Sequence, residues 1–87
     1  MIDPTFHLTF ATPEKVLYDG PALSLTVPGL SGSFEVLKDH APLIALTHPG
    51  HVLLHTPKEK TSYTLTEGVF EVSHNNAFLL VDQATPF

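Results

Sequence analysis

Eighty-seven residues carry a formal net charge of −5, from four Lys, no Arg and nine Asp plus Glu, and there is no Cys. That balance excludes a basic nucleic-acid footprint and an Arg clamp for phosphate or carboxylate. The missing thiols exclude a disulfide scaffold, thiol catalysis and Cys-ligated metal. At 43% hydrophobic and 15% charged the chain can build a folded core. It is a thin one, because a domain this small buries only about 60% of its unfolded surface, which leaves apolar surface for a partner.

The opening MIDPTFHLTF has neither the basic region nor the long apolar stretch of a signal peptide, and no apolar run nears the ~18 residues of a membrane span. The chain is therefore expected to be soluble and mature, with no direct membrane insertion. Phe6, Leu8 and Phe10 then alternate with His7, Thr9 and Ala11, the period of a strand with one apolar face. Asp19-Gly20-Pro21 is read as a break after Leu17-Tyr18. Leu23, Leu25 and Val27 alternate with Ser24 and Thr26, and Pro28-Gly29-Leu30-Ser31-Gly32 is read as a longer loop. Phe34 and Val36 flank Glu35. The best helical candidate, Glu35 to Leu46, contains Pro42, whose ring clashes with a preceding helical turn, so at most a short turn fits between Lys38 and Leu43.

His48-Pro49-Gly50 marks a turn, and Pro57-Lys58-Glu59-Lys60 a polar hairpin end. Tyr63 and Leu65 alternate with Ser62 and Thr64, and Phe70 and Val72 flank Glu71. His51–His55 and Ala77–Val81 have continuous apolar centres, which suits strands covered on both faces. Asn75-Asn76 suits a tight hairpin, because Asn tolerates left-handed φ. Turn signals recur about every 8–12 residues, the spacing of a sandwich or barrel. The expectation is all-β: one domain over residues 1–87, a two-sheet β-sandwich of about ten short, mostly antiparallel strands.

A search for chemistry returns no catalytic, cofactor-binding or metal residue. Of the six His, the tightest group is His48, His51 and His55. On a strand, His51 and His55 share a face about 13 Å apart, too far for one zinc. Asp39-His40 with Ser31 or Ser33 makes no nucleophile elbow, and Gly29 and Gly32 lack the Lys and the helix of a phosphate loop. A binding or coupling role follows. The alternatives are a small His-rich, metal-binding cupin-like β-barrel enzyme and a carbohydrate-binding sandwich, the latter poorly supplied with two Tyr and no Trp.

Five motifs in register carry a resemblance over residues 6–84. They are Leu8, Thr12-Pro13-Glu14, Tyr18 and Gly20; Val27-Pro28-Gly29-Leu30 with Gly32; His40-Ala41-Pro42-Leu43; Pro49-Gly50; and Gly68-Val69-Phe70-Glu71-Val72 with Asn76 and Leu80-Val81-Asp82-Gln83-Ala84. Together they resemble the N-terminal domain of the epsilon subunit of F-type ATP synthases. The resemblance implies a ten-stranded sandwich at the foot of the rotor's central stalk. Such a subunit has no catalytic activity and no cofactor. It binds the gamma subunit and the membrane-embedded c-ring and couples H+ or Na+ flow to ATP synthesis or hydrolysis.

On that resemblance Leu30, Ser31, Gly32, Ser33, Phe34 and Glu35, with His40, Ala41 and Pro42, are expected near one end of the sandwich, facing the c-ring and lower gamma. Two departures stand out. Relatives often have an acidic residue after the second loop Gly and a Gly two positions later, where this sequence has Ser33 and Glu35. The polar ring contact is expected to have moved to Glu35 or been lost. Relatives also continue into a C-terminal helical pair, for which no residues follow Phe87, so neither helix-mediated inhibition nor ATP binding is expected. The resemblance places the subunit peripherally on the cytoplasmic face of a bacterial inner membrane, or on the stromal face of a thylakoid. The isolated chain is expected to be a monomer or a weak dimer.

Overall fold

A computed structural model describes residues 3–87. Ten strands follow one another: β1 Phe6–Ala11, β2 Val16–Ala22, β3 Ser24–Gly29, β4 Gly32–Val36, β5 Leu43–Thr47, β6 Gly50–His55, β7 Lys60–Leu65, β8 Gly68–Ser73, β9 Asn76–Val81 and β10 Ala84–Pro86. The pairings are antiparallel except β1 with β9, which is parallel.

The two expected sheets are one hydrogen-bonded ladder folded over on itself. The fold line is β3. Along one edge, its Ser24–Thr26 pairs with His55–Leu53 of β6, while Gly29 at its far end pairs with Thr47 of β5. Its other edge pairs with β4 from Leu25 to Gly29. One layer is thus β4-β3-β6-β7-β10, and the other is β5-β8-β9-β1-β2. The layers meet through Phe10 against Tyr63, ring centroids 5.0 Å apart, and Phe34 against Phe70, 5.7 Å apart, both edge-on. The molecule is 19 Å along its shortest axis, the thickness of two sheets about 10 Å apart with their outward side chains.

The core follows from alternation. Leu8, Phe10, Leu25, Val27, Val36, Val52, Phe70 and Leu79 are fully buried, and each points inward from its strand. Turns close where local chemistry allows. His74 and Asn75 have φ of 51° and 62°, the two left-handed positions of a two-residue hairpin matched to strand twist.

Several expectations need correcting. Asp19-Gly20-Pro21 does not break the chain; it lies inside β2, paired with Thr9, Leu8 and His7. β2 is the outermost strand of its layer, where a residue without an N–H is tolerated. The irregularity falls instead at the register shift after Phe10, which leaves Leu17 unpaired as a bulge. The Pro28–Gly32 stretch is no long loop. Pro28 and Gly29 extend β3, and Leu30-Ser31 is a two-residue turn closed by Gly29 opposite Gly32. Leu30 and Ser31 keep negative φ, and the left-handed step falls on Gly32 at 124°, where only Gly avoids a steric penalty. The β8–β9 turn is His74-Asn75 rather than Asn75-Asn76, since Asn76 already pairs with Ser73. The rejection of a helix over Glu35 to Leu46 agrees with the structure, where β5 begins at Leu43, directly after Pro42. Finally, among the described residues β6 and β9 are not covered on both faces, because Leu53, Phe78 and Leu80 stand exposed.

Candidate functional site

The two layers differ on their outer faces. In the β5-β8-β9-β1-β2 layer, register aligns Leu46, Val69, Leu80, Ala11 and Val16 in one row across all five strands. The adjacent row holds Ile44, Glu71, Phe78, Thr9 and Asp19. Ile44 is 71% exposed and Leu46 60%, and Phe78 and Leu80 are more than two-fifths exposed. With strands about 4.8 Å apart, the first row runs about 19 Å. Leu30, from the β3–β4 turn, extends it at the β5 end, where its N–H donates to the Leu46 carbonyl at 3.1 Å.

The other layer turns out Glu35, Thr26, Leu53 and Ser62 in one row, with His51 and Thr64 beside it. That face is mostly polar, with Leu53 and, stacked on His51, Phe87 as its exposed apolar side chains. Among the described residues, a row of apolar side chains running across five successive strands is therefore a property of one side of the molecule. Contiguous exposed apolar surface of this kind marks an interaction site.

A groove of about 620 Å³ opens between the β3–β4 hairpin and β5, lined by Leu30, Ser31, Phe34, Leu43, Ile44 and Leu46. It joins the apolar face at Ile44 and Leu46. Phe34 points inward onto Phe70, while Ser33 and Glu35 turn outward on β4. Glu35 lies on the polar face, in a shallow groove with Ser24, Thr26, His55 and Lys60.

His40, Ala41 and Pro42 lie elsewhere. They precede Leu43 at the opposite end of β5 from Leu30, beside the His74-Asn75 turn. The expectation that both groups share one end of the sandwich is therefore wrong. A whole strand, roughly 13 Å at the usual rise, separates them.

Among the described residues no three His, Asp or Glu side chains converge. His48 Nδ1 lies 2.7 Å from the Pro49 carbonyl, and His51 stacks on Phe87 with ring centroids 4.0 Å apart. At the rim of the apolar face His7 Nε2 meets Asp19 Oδ1 at 2.6 Å, both side chains half exposed. Asp3 is held below the usual carboxylate range by hydrogen bonds from the Thr5 hydroxyl and amide. Burial pushes the Tyr18 hydroxyl up, and that hydroxyl donates to the Pro21 carbonyl. Ile44, Leu46, Val69, Phe78 and Leu80 are the surface residues that sequence reasoning missed. For all but Val69 the signal was present as unbroken apolar runs at Leu43–Leu46 and Ala77–Val81.

This geometry, a closed sandwich with one apolar flank, meets its match in comparison with known proteins. The family model for the ATP synthase delta/epsilon chain β-sandwich domain matches residues 5–87. The chain belongs to that family. An ATP synthase epsilon chain of Chlorobium limicola is 39% identical over 84 residues, covering 95% of this chain and 96% of that one. An epsilon chain of Rhodopseudomonas palustris is 36% identical over 81 residues, and there the match spans only 60% of the relative. A chain in the Euglena gracilis mitochondrial ATP synthase structure superposes with a TM-score of 0.91 at 19% identity, covering 99% of this chain and 56% of that one. A chain of the Tetrahymena thermophila central stalk and c-ring structure gives 0.79 at 16%, over 91% and 64%. These two likenesses show that the delta/epsilon fold is shared. No helix among the described residues is long and apolar enough to cross a membrane.

Proposed function

We propose that this chain is a non-catalytic central-stalk subunit of an F-type ATP synthase, held between gamma and the c-ring, where it couples ion translocation to ATP synthesis or hydrolysis. The observation that carries the reading is the one-sided apolar face of Ile44, Leu46, Val69, Phe78 and Leu80, on a chain that belongs to the delta/epsilon family. A rotor subunit must be gripped firmly enough to turn with its neighbours. Removing such a face from water supplies that grip at roughly 25 cal/mol per Å² of apolar surface.

We assign this face to gamma. The Leu30–Ser33 turn suits the c-ring loops, because it is a short projecting hairpin tip with a single hydroxyl-rich edge. His40-Ala41-Pro42, at the other end of β5, is assigned to the gamma side. Glu35 belongs to the opposite, polar face and is not assigned to the ring. The whole of residues 1–87 acts as one docking domain, peripheral on the cytoplasmic face of a bacterial inner membrane. The metal-enzyme alternative gains no support from the scattered His residues.

The test is reconstitution. The purified chain, mixed with gamma, is expected to co-elute as a one-to-one complex and to co-purify with the c-ring from detergent-solubilised membranes. A folded chain that binds neither at micromolar concentration overturns the reading.

A further inference from the structure

Three non-glycine residues among those described have left-handed backbone, and two of them are bonded to each other across 36 positions of sequence. Asp39 has φ of 66° and Asn75 of 62°. The Asp39 N–H donates to Asn75 Oδ1 at 2.7 Å, and Asn75 Nδ2 donates to Asp39 Oδ1 at 2.9 Å. The Asn75 carbonyl also accepts the His7 N–H at 2.9 Å. One residue thus ties together the β8–β9 turn, the β4–β5 connection and the start of β1.

Neither turn needs these side chains for its own closure. Gly at either position would take the same φ with no steric penalty. What the side chains add is a paired, two-way link between segments. The segment that benefits is the β4–β5 connection, residues 37–42, which has no ladder partners of its own. Its other ties are the Leu37–His40 turn bond of 3.2 Å and the Lys38 ammonium on the Asp3 carbonyl. His40-Ala41-Pro42 follows directly after Asp39, so the clasp fixes where that tripeptide stands.

We propose that Asp39 and Asn75 form a positioning clasp that presents His40-Ala41-Pro42 to the gamma subunit in its binding conformation. This rests on the assignment of that tripeptide to the gamma side. A loop held in its bound shape loses less conformational freedom on binding, and that difference appears as affinity.

The test uses the full chain with Asn75→Gly, Asp39→Gly, both together, and Asp39→Asn. Amide exchange on the isolated chain reads the clasp itself. In Asn75→Gly the Asp39 amide is expected to exchange about tenfold faster, with the core amides of Phe70 and Leu79 unchanged. The affinity of that variant for gamma is expected to fall about fivefold to tenfold. The double variant should lose no more than Asn75→Gly alone, the non-additivity of a single shared interaction. Asp39→Asn keeps the acceptor oxygen and tolerance of left-handed φ, and it should stay within about twofold of the unaltered chain. Additive losses, an unchanged Asp39 exchange rate, or faster exchange with undiminished gamma affinity would each overturn the clasp's role. If the unaltered chain itself fails to bind gamma, the rotor assignment falls and takes the positioning role with it. The exchange data, taken without gamma, keep the two failures distinct.

Discussion

Ile44 and Leu46 leave most of their side-chain surface in water, although each sits on a regular strand one position from a core residue or a half-buried one. The chain alone gains nothing from that exposure, and gamma can bury it. Leu46→Asp is therefore expected to weaken gamma binding by at least about thirtyfold, roughly 2 kcal/mol, as at the centre of other interfaces. Stability of the isolated chain should move by less than about 0.5 kcal/mol, the norm for a surface site. Titration of gamma and thermal melting, run on the same preparation, check both halves. The next residue after Leu46, turned toward the core, is a different case. Thr47 is 2% exposed, and its hydroxyl has no hydrogen-bond partner among the described residues. Thr47→Val removes an unpaired polar atom and keeps β-branching and volume. It is expected to stabilise the fold by about 1 kcal/mol, a rise in melting temperature of about 4–8 °C.

Strand meeting strand sets tighter limits than any single side chain. Gly68 opens β8, flanked by Thr47 of β5 on one side and Val81 of β9 on the other. A Cβ there would stand 2.1 Å from the Leu80 carbonyl oxygen and 2.7 Å from the Val81 Cα. Both obstacles are backbone and cannot swing away. Gly68→Ala is expected to cost at least about 2 kcal/mol in a denaturant titration, by forcing β8 and β9 apart. β2 and the β3–β4 hairpin make the complementary point. A Pro inside a central strand would remove a ladder bond, but Pro21 sits on the outermost strand, so the strand survives it. That distinction needs the strand order, and local sequence does not carry it. The Pro28-Gly29 pair misleads for a similar reason: both residues have turn chemistry, yet both sit opposite partners on β4, and the turn lies one step further on.

Viewed as a body, the molecule is a small acidic sandwich with one apolar flank and one polar flank. The proposed gamma face carries few carboxylates, chiefly Glu71 and, at its rim, Asp19 beside His7. Burial rather than ion pairing is expected to hold the complex. Raising salt from about 0.05 to 0.5 M should then change the gamma dissociation constant by less than about threefold, where a charge-driven complex would weaken far more. Calorimetry at both salt concentrations decides the matter.

The all-β class, many of the inward residues and family membership could be read from the chain as written. Alternation is a local property, and a residue's side of its own strand depends only on its neighbours two positions away. Phe6, Leu8, Phe10, Leu25, Val27, Phe70 and Val72 are buried as their alternation requires. The apolar flank could not be read in this way. An unbroken run such as Ala77–Val81 has the same spelling whether its second face is covered within the chain or left for a partner. Only the layer order, which places none of the described residues over Phe78 and Leu80, separates the two. Nor could local sequence show that Leu30–Ser33 and His40–Pro42 stand at opposite ends of β5. That separation comes from pairing between distant segments, Leu30 with Leu46 and Asp39 with Asn75, whose partners are brought together only by folding.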